Sequence, residues 1–348
     1  PDFPTPQHVK DAGKRAIDEN QTFYTHTQGI LSLREKLVAK LARVNGIKTA
    51  PENIACGPGG VGAIAAMLAA VLERDDEVLL PDPGWPNYRM MLPWLGARGV
   101  FYPCPPSNGF QPDLDALRSL ITQRSRILVL NSPNNPTGAV YPKATVTAFI
   151  EIAQEHNLWL LSDECYDQVV LDGSWTSPAS LAPDDPRIVS AFTFSKTYAM
   201  TGWRLGYITG TEGLIDSATK VLESNSSCVS TITQVAGEAA LTGPQDCVGE
   251  MVGAYRRRRD LVVDMLREAE LLISEPSGAF YIMADITPAA MPAREFAFSL
   301  LRERGVSVAP GTAFGQVAGH AVRISLASSD ADLRQGVGRL AKFVHSRA

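Results

Sequence analysis

AFTFSKTYAMTGWRLGY, residues 191–207, sets one lysine, Lys196, and one arginine, Arg204, in a run that is otherwise uncharged and rich in apolar and aromatic side chains. Lysine is among the side chains least often buried without a partner. Its place near the end of a strand-like run, IVSAFTF (188–194), therefore asks for a reason. A lysine desolvated in an apolar cleft is a nucleophilic amine suited to Schiff-base formation. The planar fork of an arginine holds a phosphate through two parallel N–H bonds. Alone, Lys196 reads as a side chain snorkelling to solvent. The rest of the chain decides between the two.

Outward from this stretch, short apolar runs alternate with helical periods from about residue 30 to 240. Strand candidates are EVLLPD (77–82), RILVLN (126–131), LWLLSDE (158–164), IVSAFTF (188–194) and LGYITG (205–210). Between them lie helical stretches such as KATVTAFIEIAQEH (143–156). Nearly continuous apolar strands separated by helices predict an α/β fold with a mostly parallel sheet covered by helices on both faces. Its ligand crevice then lies outside the carboxyl ends of the strands. After about residue 245 the texture changes to a long helix (249–270), SGAFYIMADI (277–286), a helix over 293–304, AVRISLA (321–327) and a last helix over 330–346. That is the pattern of a smaller α+β domain. The four arginines at 256–259 spread around a helix at about 100° per residue and predict a solvated face.

Composition removes several function classes. A net charge of −5 gives no reason to expect nucleic acid or an anionic membrane as partner. The longest apolar run, VGAIAAMLAAVL (61–72), is short of the roughly 18 residues of a membrane span. Five scattered cysteines without a CxxC argue against a disulfide framework or a thiolate metal site and favour a reducing compartment. The five histidines are isolated, so no metal site is expected.

CGPGGVGAI (56–64) fits G-x-G-x-x-G through Gly57, Gly59 and Gly62, and Asp82 follows Gly62 by twenty residues, the spacing of a dinucleotide fingerprint. Against it, PENIAC opens with Pro51 and makes a poor central strand, and Asp82 sits in the proline-rich PDPGWP. The loop reads as a phosphate cradle of backbone N–H groups at a helix N-terminus. Which phosphate it holds is decided elsewhere.

Two further stretches join Lys196. NSPNNPTGAVY (131–141) follows a strand, and its Asn-Pro and Pro-Thr-Gly steps pin a turn that presents Asn135 toward the crevice. In LWLLSDECYDQVV (158–170), Asp163 ends an apolar run where a lone carboxylate is costly and wants a cationic partner. Tyr166 follows within reach of the same cleft. The snorkelling reading of Lys196 weakens once an acid, an asparagine and an arginine fall at strand ends of one sheet.

With these residues in view the chain resembles the class I/II (fold-type I) pyridoxal-phosphate-dependent aminotransferases. NSPNNPTG, SDECY and TFSKTYAMTGWRLG occur in that family's order, with Asn135, Asp163 and Lys196 spaced by 28 and 33 residues. YTHTQGILSLRE (24–35), PDPGWPNY (81–88) and VRISLASS (322–329) also match, so the resemblance spans nearly the whole chain. It implies a large cofactor-binding domain over 21–244 and a small domain formed by 1–20 with 245–348.

The resemblance also implies roles. Lys196 would form the internal aldimine with pyridoxal 5'-phosphate, and Asp163 would pair with the protonated pyridine nitrogen. Tyr166 and Asn135 would hydrogen-bond the ring's phenolic oxygen, and Trp85 would stack on the ring. The backbone N–H groups of Gly60 and Val61, with Thr193 and Arg204, would hold the phosphate. Tyr24 would reach the phosphate of a neighbouring subunit, implying a homodimer with shared sites. Arg323, with Asn135, would grip the substrate carboxylate. The implied reaction moves an amino group from an L-amino acid to a 2-oxo acid by a ping-pong scheme, in the cytoplasm, with Lys196 shuttling the Cα proton.

The chain opens at PDFPTP, without the glycine-bearing segment the family carries before the substrate pocket. Val61 stands where many relatives are polar, and LASS replaces ATS; neither removes a catalytic role, but both weaken any transfer of substrate identity. A lyase or decarboxylase on the same scaffold is the nearest rival. An NAD-dependent dehydrogenase would leave Lys196, Asp163 and Arg204 without a joint role.

Overall fold

In the computed structural model, which describes residues 1–347, the five sequence-read strands appear side by side in one sheet. The strands are β1 (Ile54–Pro58), β2 (Glu77–Asp82), β3 (Arg98–Pro103), β4 (Ser125–Asn131), β5 (Trp159–Asp163), β6 (Ile188–Thr193) and β7 (Leu205–Thr209), in spatial order β1-β7-β6-β5-β4-β2-β3. From β3 through β6 all pairings are parallel; β7 runs antiparallel to both β6 and β1.

Burial on both faces explains the continuous apolar runs. Along β4, Ile127 and Val129 join one core with Met67 and Leu68 of the helix Gly59–Val71 and Leu214 and Ile215 of the helix Glu212–Ser226. Leu128 and Leu130 point the other way, onto Val146, Phe149 and Ile150 of the helix Lys143–Glu155. Alternate residues of one strand thus feed two cores. Truncating a fully buried one such as Leu128 to alanine costs about 2–5 kcal/mol.

β1 and β3, absent from the strand candidates, are the two edges of the sheet. Pro51, which made this stretch read as a poor central strand, lies just before β1; β1 itself ends in Gly57 and Pro58, which an edge tolerates. β3 shows mixed burial and so no clean apolar run.

The C-terminal part builds a second, antiparallel sheet from β8 (Tyr281–Asp285), β9 (Ala309–Pro310) and β10 (Ala321–Ser325), in order β8-β10-β9. The helices Asp246–Glu268, Ala293–Arg304 and Asp330–His345 pack on it through Val262, Leu266, Phe296, Leu300, Leu340 and Phe343.

Two expectations change. The segment 1–20 is divided: Phe3 packs with the C-terminal core, whereas the helix Gln7–Asp18 lies on the helix Thr231–Thr242. Its buried face is Val9, Ala12, Gly13 and Ala16, small enough for Trp203 and Ala236 to close in. The arginine run is not a solvated face either. Arg256 and Arg257 are exposed, but Arg258 and Arg259 are buried, 8% and 4% exposed. Arg258 holds Asp2 and Asp330, and Arg259 holds Asp172 and Asp260. Three of those partners lie 72 to 256 residues away, beyond any local reading.

Among the described residues no helix is long and apolar enough to cross a membrane, and no cluster of potential metal ligands occurs. All five cysteines are free thiols.

Candidate active site

The carboxyl ends of β4, β5 and β6 deliver their last residues to one place. Asn131 pairs with Asp163 across β4 and β5, and Asp163 with Ala191 across β5 and β6. Opposite them stand β8 and β10 of the small sheet. Between the two lies a cleft of about 500 Å³ lined by Gly60, Val61, Trp85, Asn135, Asp163, Tyr166, Thr193, Lys196, Arg204 and Arg323. Of the residues singled out in the sequence, Tyr24 alone lies elsewhere: it is 87% exposed, beside Phe23 and residues 228–232.

Lys196 sits in a single helical turn, Phe194–Thr197, that begins as β6 ends. The Thr193 hydroxyl caps this turn by accepting the Ser195 N–H at 3.2 Å and donates to Leu205 O at 3.2 Å. The lysine Nζ stands over the rings of Tyr166 and Phe280, 5.7 and 5.6 Å from their centroids. The apolar neighbours noted in sequence, Phe192, Phe194, Tyr198, Met200 and Leu205, instead fill a core, and the rings beside the amine come from elsewhere in the chain.

Asp163 is 3% exposed. Its carboxylate accepts Tyr88 OH at 3.1 Å and the Cys165 N–H at 3.3 Å. Burial pushes its pKa above the ordinary carboxylate value, against those bonds and the charge of Lys196. No Lys or Arg among the described residues forms a salt bridge with it, and a buried carboxylate so placed lacks the partner that usually offsets its desolvation.

Arg204 has a left-handed backbone, φ +56°. Its guanidinium donates to Thr201 O at 2.7 Å and Pro58 O at 3.3 Å, which fixes it at the N-terminus of the helix Gly59–Val71. Pro58, in the cap position, offers no side-chain acceptor to the first-turn N–H groups. Gly59 has φ +78°, a left-handed conformation that favours glycine, and a Cβ there would lie 2.3 Å from Arg204 Nη2 and push the guanidinium away. The 57–62 stretch is the junction of β1 with this helix, and its uncapped first-turn N–H groups beside Arg204 have the geometry that binds anions. It leads from an edge strand, not from the central strand of a dinucleotide-binding unit.

Arg323 comes from β10. Its Nη1 donates to Asn135 Oδ1 at 2.8 Å, and it lies 4.1 Å from the Tyr281 ring and 4.7 Å from the Phe314 ring. Its Nε is buried without a hydrogen-bond partner. Desolvation pulls its pKa down. Neither Arg204 nor Arg323 pairs with a carboxylate among the described residues. Two guanidiniums facing one cleft without counter-ions can take two anionic groups, and Lys196 can serve as nucleophile or base between them.

Four cleft contacts were not found from sequence: Tyr88 on Asp163, Tyr281 on Tyr166 (hydroxyls 3.0 Å apart), Phe314 on Arg323, and Cys165. Burial raises the Tyr166 phenol well above its usual pKa, and its neighbour Tyr281 adds to this. Tyr88 lies within PDPGWPNY and Tyr281 within SGAFYIMADI, and neither pattern tells what its ring faces.

Comparison with known proteins agrees with this geometry. The family model "Aminotransferase class I and II" matches residues 1–340. An aspartate/prephenate aminotransferase of Thermus thermophilus is 41% identical, the match covering 99% of this chain and 89% of that protein. Aromatic-amino-acid aminotransferase 2 of Thermococcus litoralis is 37% identical over 100% of this chain and 90% of its own. The crystal structure of an aromatic aminotransferase from Pyrococcus horikoshii superposes with a TM-score of 0.96 at 36% identity, covering 100% of this chain and 94% of that one. A match of this extent, on a seven-stranded mostly parallel sheet with a small antiparallel one, means that the chain belongs to the class I and II aminotransferase family and is a transaminase.

Proposed function

We propose that this aminotransferase works with pyridoxal 5'-phosphate, the cofactor its family generally uses, in the cleft around Lys196, and exchanges amino groups between L-amino acids and 2-oxo acids in two half-reactions. The observation that carries this reading is the combination of Lys196, a buried carboxylate without a cationic partner and two guanidiniums without counter-ions in one cleft. Each of these unmet charges fits one part of the cofactor or of an amino acid.

When bound, the cofactor supplies an aldehyde that condenses with amines and a protonated ring that takes up the electron pair left at Cα. Asp163 would hold the ring nitrogen, with Tyr88 and the Cys165 N–H keeping its carboxylate in place. Arg204, the Thr193 hydroxyl and the N–H groups of Gly60 and Val61 would bind the phosphate. Trp85 would cover the ring face, and Tyr166 and Asn135 would hydrogen-bond its phenolic oxygen. Arg323 would take the α-carboxylate of the amino acid, which leaves the Lys196 amine beside the Cα hydrogen. Lys196 would then accept that proton at Nζ and deliver it to the carbon on the far side of the amino nitrogen, while the rings of Tyr166 and Phe280 exclude water from the transfer.

Tyr24 and Phe23, 87% and 78% exposed, suit contact with a second copy, which supports a homodimer whose partner Tyr24 completes each phosphate site. The large unit would run over about 21–244, carrying the helix Gln7–Asp18 on its surface, and the small unit over 245–348. Five free thiols are consistent with a reducing, cytoplasmic setting.

The test is spectroscopic. Purified protein loaded with pyridoxal phosphate should be yellow, lose its imine absorption on addition of an amino acid, and recover it with a 2-oxo acid. Lys196→Ala should bind the cofactor without the imine band and lose exchange by about 10⁴-fold. A variant that still exchanged amino groups at the wild-type rate would remove Lys196 from the mechanism.

A further inference from the structure

Asp82 ends β2, on the side of the cleft that the reading above leaves without a role for it. Its side chain is 9% exposed. Oδ2 accepts the Gln316 N–H at 3.0 Å, and Oδ1 accepts the Val317 N–H at 3.2 Å, from a loop 234 residues away. Two residues further on, Gly84 donates its N–H to Phe314 O at 2.9 Å. Three hydrogen bonds thus tie the turn that carries Trp85 to the loop that carries Phe314. Gly315 has φ +155°, and a Cβ built there would stand 1.7 Å from Asp82 Oδ1. Glycine is what allows the carboxylate to reach the loop at all.

Phe314 is 3% exposed, lines the cleft and packs on the Arg323 guanidinium. Arg323 has one hydrogen bond to the protein, to Asn135, and its Nε has none. Its direction is therefore set largely by that single bond and by the Tyr281 and Phe314 rings packed within 4.1 and 4.7 Å of it. A carboxylate that fixes Phe314 also fixes where the guanidinium points, and small errors in such positioning are costly.

We propose that Asp82 is a positioning residue for the amino-acid carboxylate: by holding the 314–317 loop it keeps Phe314 against Arg323 and so aims the guanidinium into the cleft. The inference rests on the reading of Arg323 as the carboxylate grip. Asp82 itself touches neither substrate nor cofactor.

The experiment compares Asp82→Asn, Phe314→Leu and Arg323→Ala in the cofactor-loaded enzyme. Asparagine keeps the size of Asp82 but turns an N–H donor toward one of the two backbone N–H groups. Hydrocinnamate, an amine-free carboxylate, is titrated against each variant by the change in the cofactor spectrum, alongside KM and kcat for phenylalanine and the cofactor Kd. Asp82→Asn should raise the hydrocinnamate Kd and the KM together by about tenfold, with kcat and the cofactor Kd within about twofold. Phe314→Leu should move the same two constants, and it carries the test if Asp82→Asn does not fold. A lower unfolding temperature with an unchanged hydrocinnamate Kd in both variants would reduce Asp82 to a structural tie and overturn the proposal. If Arg323→Ala weakens hydrocinnamate but neither other variant does, positioning alone falls. If Arg323→Ala leaves hydrocinnamate binding intact, the carboxylate reading falls and takes the positioning role with it.

Discussion

Arg258 and Arg259, on the helix Asp246–Glu268, and Arg204 and Arg323, in the cleft, put one residue type into opposite surroundings. Desolvation pulls down the pKa of Arg258, but hydrogen bonds to Asp2 and Asp330 outweigh it, and the guanidinium is held above its usual value. Arg259 is held up in the same way by Asp172 and Asp260. Arg323 feels the same desolvation without any carboxylate to answer it, and its pKa falls. A buried charge that is fully answered serves the fold. One that is desolvated and left unanswered is kept for a ligand.

The largest effect should come from the unanswered pair. Arg323→Ala should cut kcat/KM for an amino-acid donor by about 100-fold, read in steady-state kinetics, because a desolvated charge pair with the substrate carboxylate is lost. Its unfolding midpoint should stay level or rise, since a half-buried, desolvated charge without a carboxylate partner is removed. A large loss of stability would place Arg323 with the structural arginines. Arg204→Ala should weaken cofactor retention by a factor of about 30, measured by titrating the cofactor back into the stripped protein.

Next comes the answered pair. Arg259→Met should destabilise the protein by about 2 kcal/mol in a urea titration, through the lost hydrogen bonds to Asp172 and Pro276 O, while KM for the donor changes little. An unchanged midpoint would mean that the buried ion pairs contribute no more than exposed ones.

The two carboxylates of the same comparison should respond to pH in opposite senses. Burial raises the Asp163 pKa, so the cofactor-free protein binds a proton there more tightly than the unfolded chain does. Its stability contribution should fall as pH rises from the ordinary carboxylate range through the raised value. Asp163→Asn should abolish that fall and make the cofactor-free protein more stable at neutral pH, as thermal melts across pH would read. Asp172 is the reverse and the smallest effect: its hydrogen bond from Arg259 lowers its pKa. That contribution is present above the ordinary carboxylate range and is lost as pH falls through the lowered value, a limb that Asp172→Asn should erase.

Legibility in the sequence follows the same division. Central strands were visible because burial on both faces makes them apolar runs: EVLLPD is β2 residue for residue, the candidates for β4, β6 and β7 differ by one residue at one end, and that for β5 by one residue at each end. The edges β1 and β3 were not, because an edge need not be apolar. The antiparallel course of β7 left no local mark. Lys196, Asp163, Asn135 and Arg204 were visible because strand ends and tight turns announce themselves through Pro, Gly and a sudden charge. Tyr88, Tyr281 and Phe314 carry no such mark: an aromatic residue in a turn or strand looks the same whether it lines a cleft or fills a core. The arginine run misled for a related reason, since its counter-ions arrive from Asp2, Asp172 and Asp330.

By itself, then, the order of the residues determined the α/β architecture, the family and the lysine, acid and asparagine that meet at the strand ends, because each depends on patterns a few residues long. Only the tertiary structure decided which arginines are answered and which are open, that Asp82 serves the 314–317 loop and no ribose, and that Tyr281 and Phe314 flank Arg323. Those facts depend on distances between segments as many as 256 residues apart, and burial without a partner is a property of a place in the fold, not of a residue in the chain.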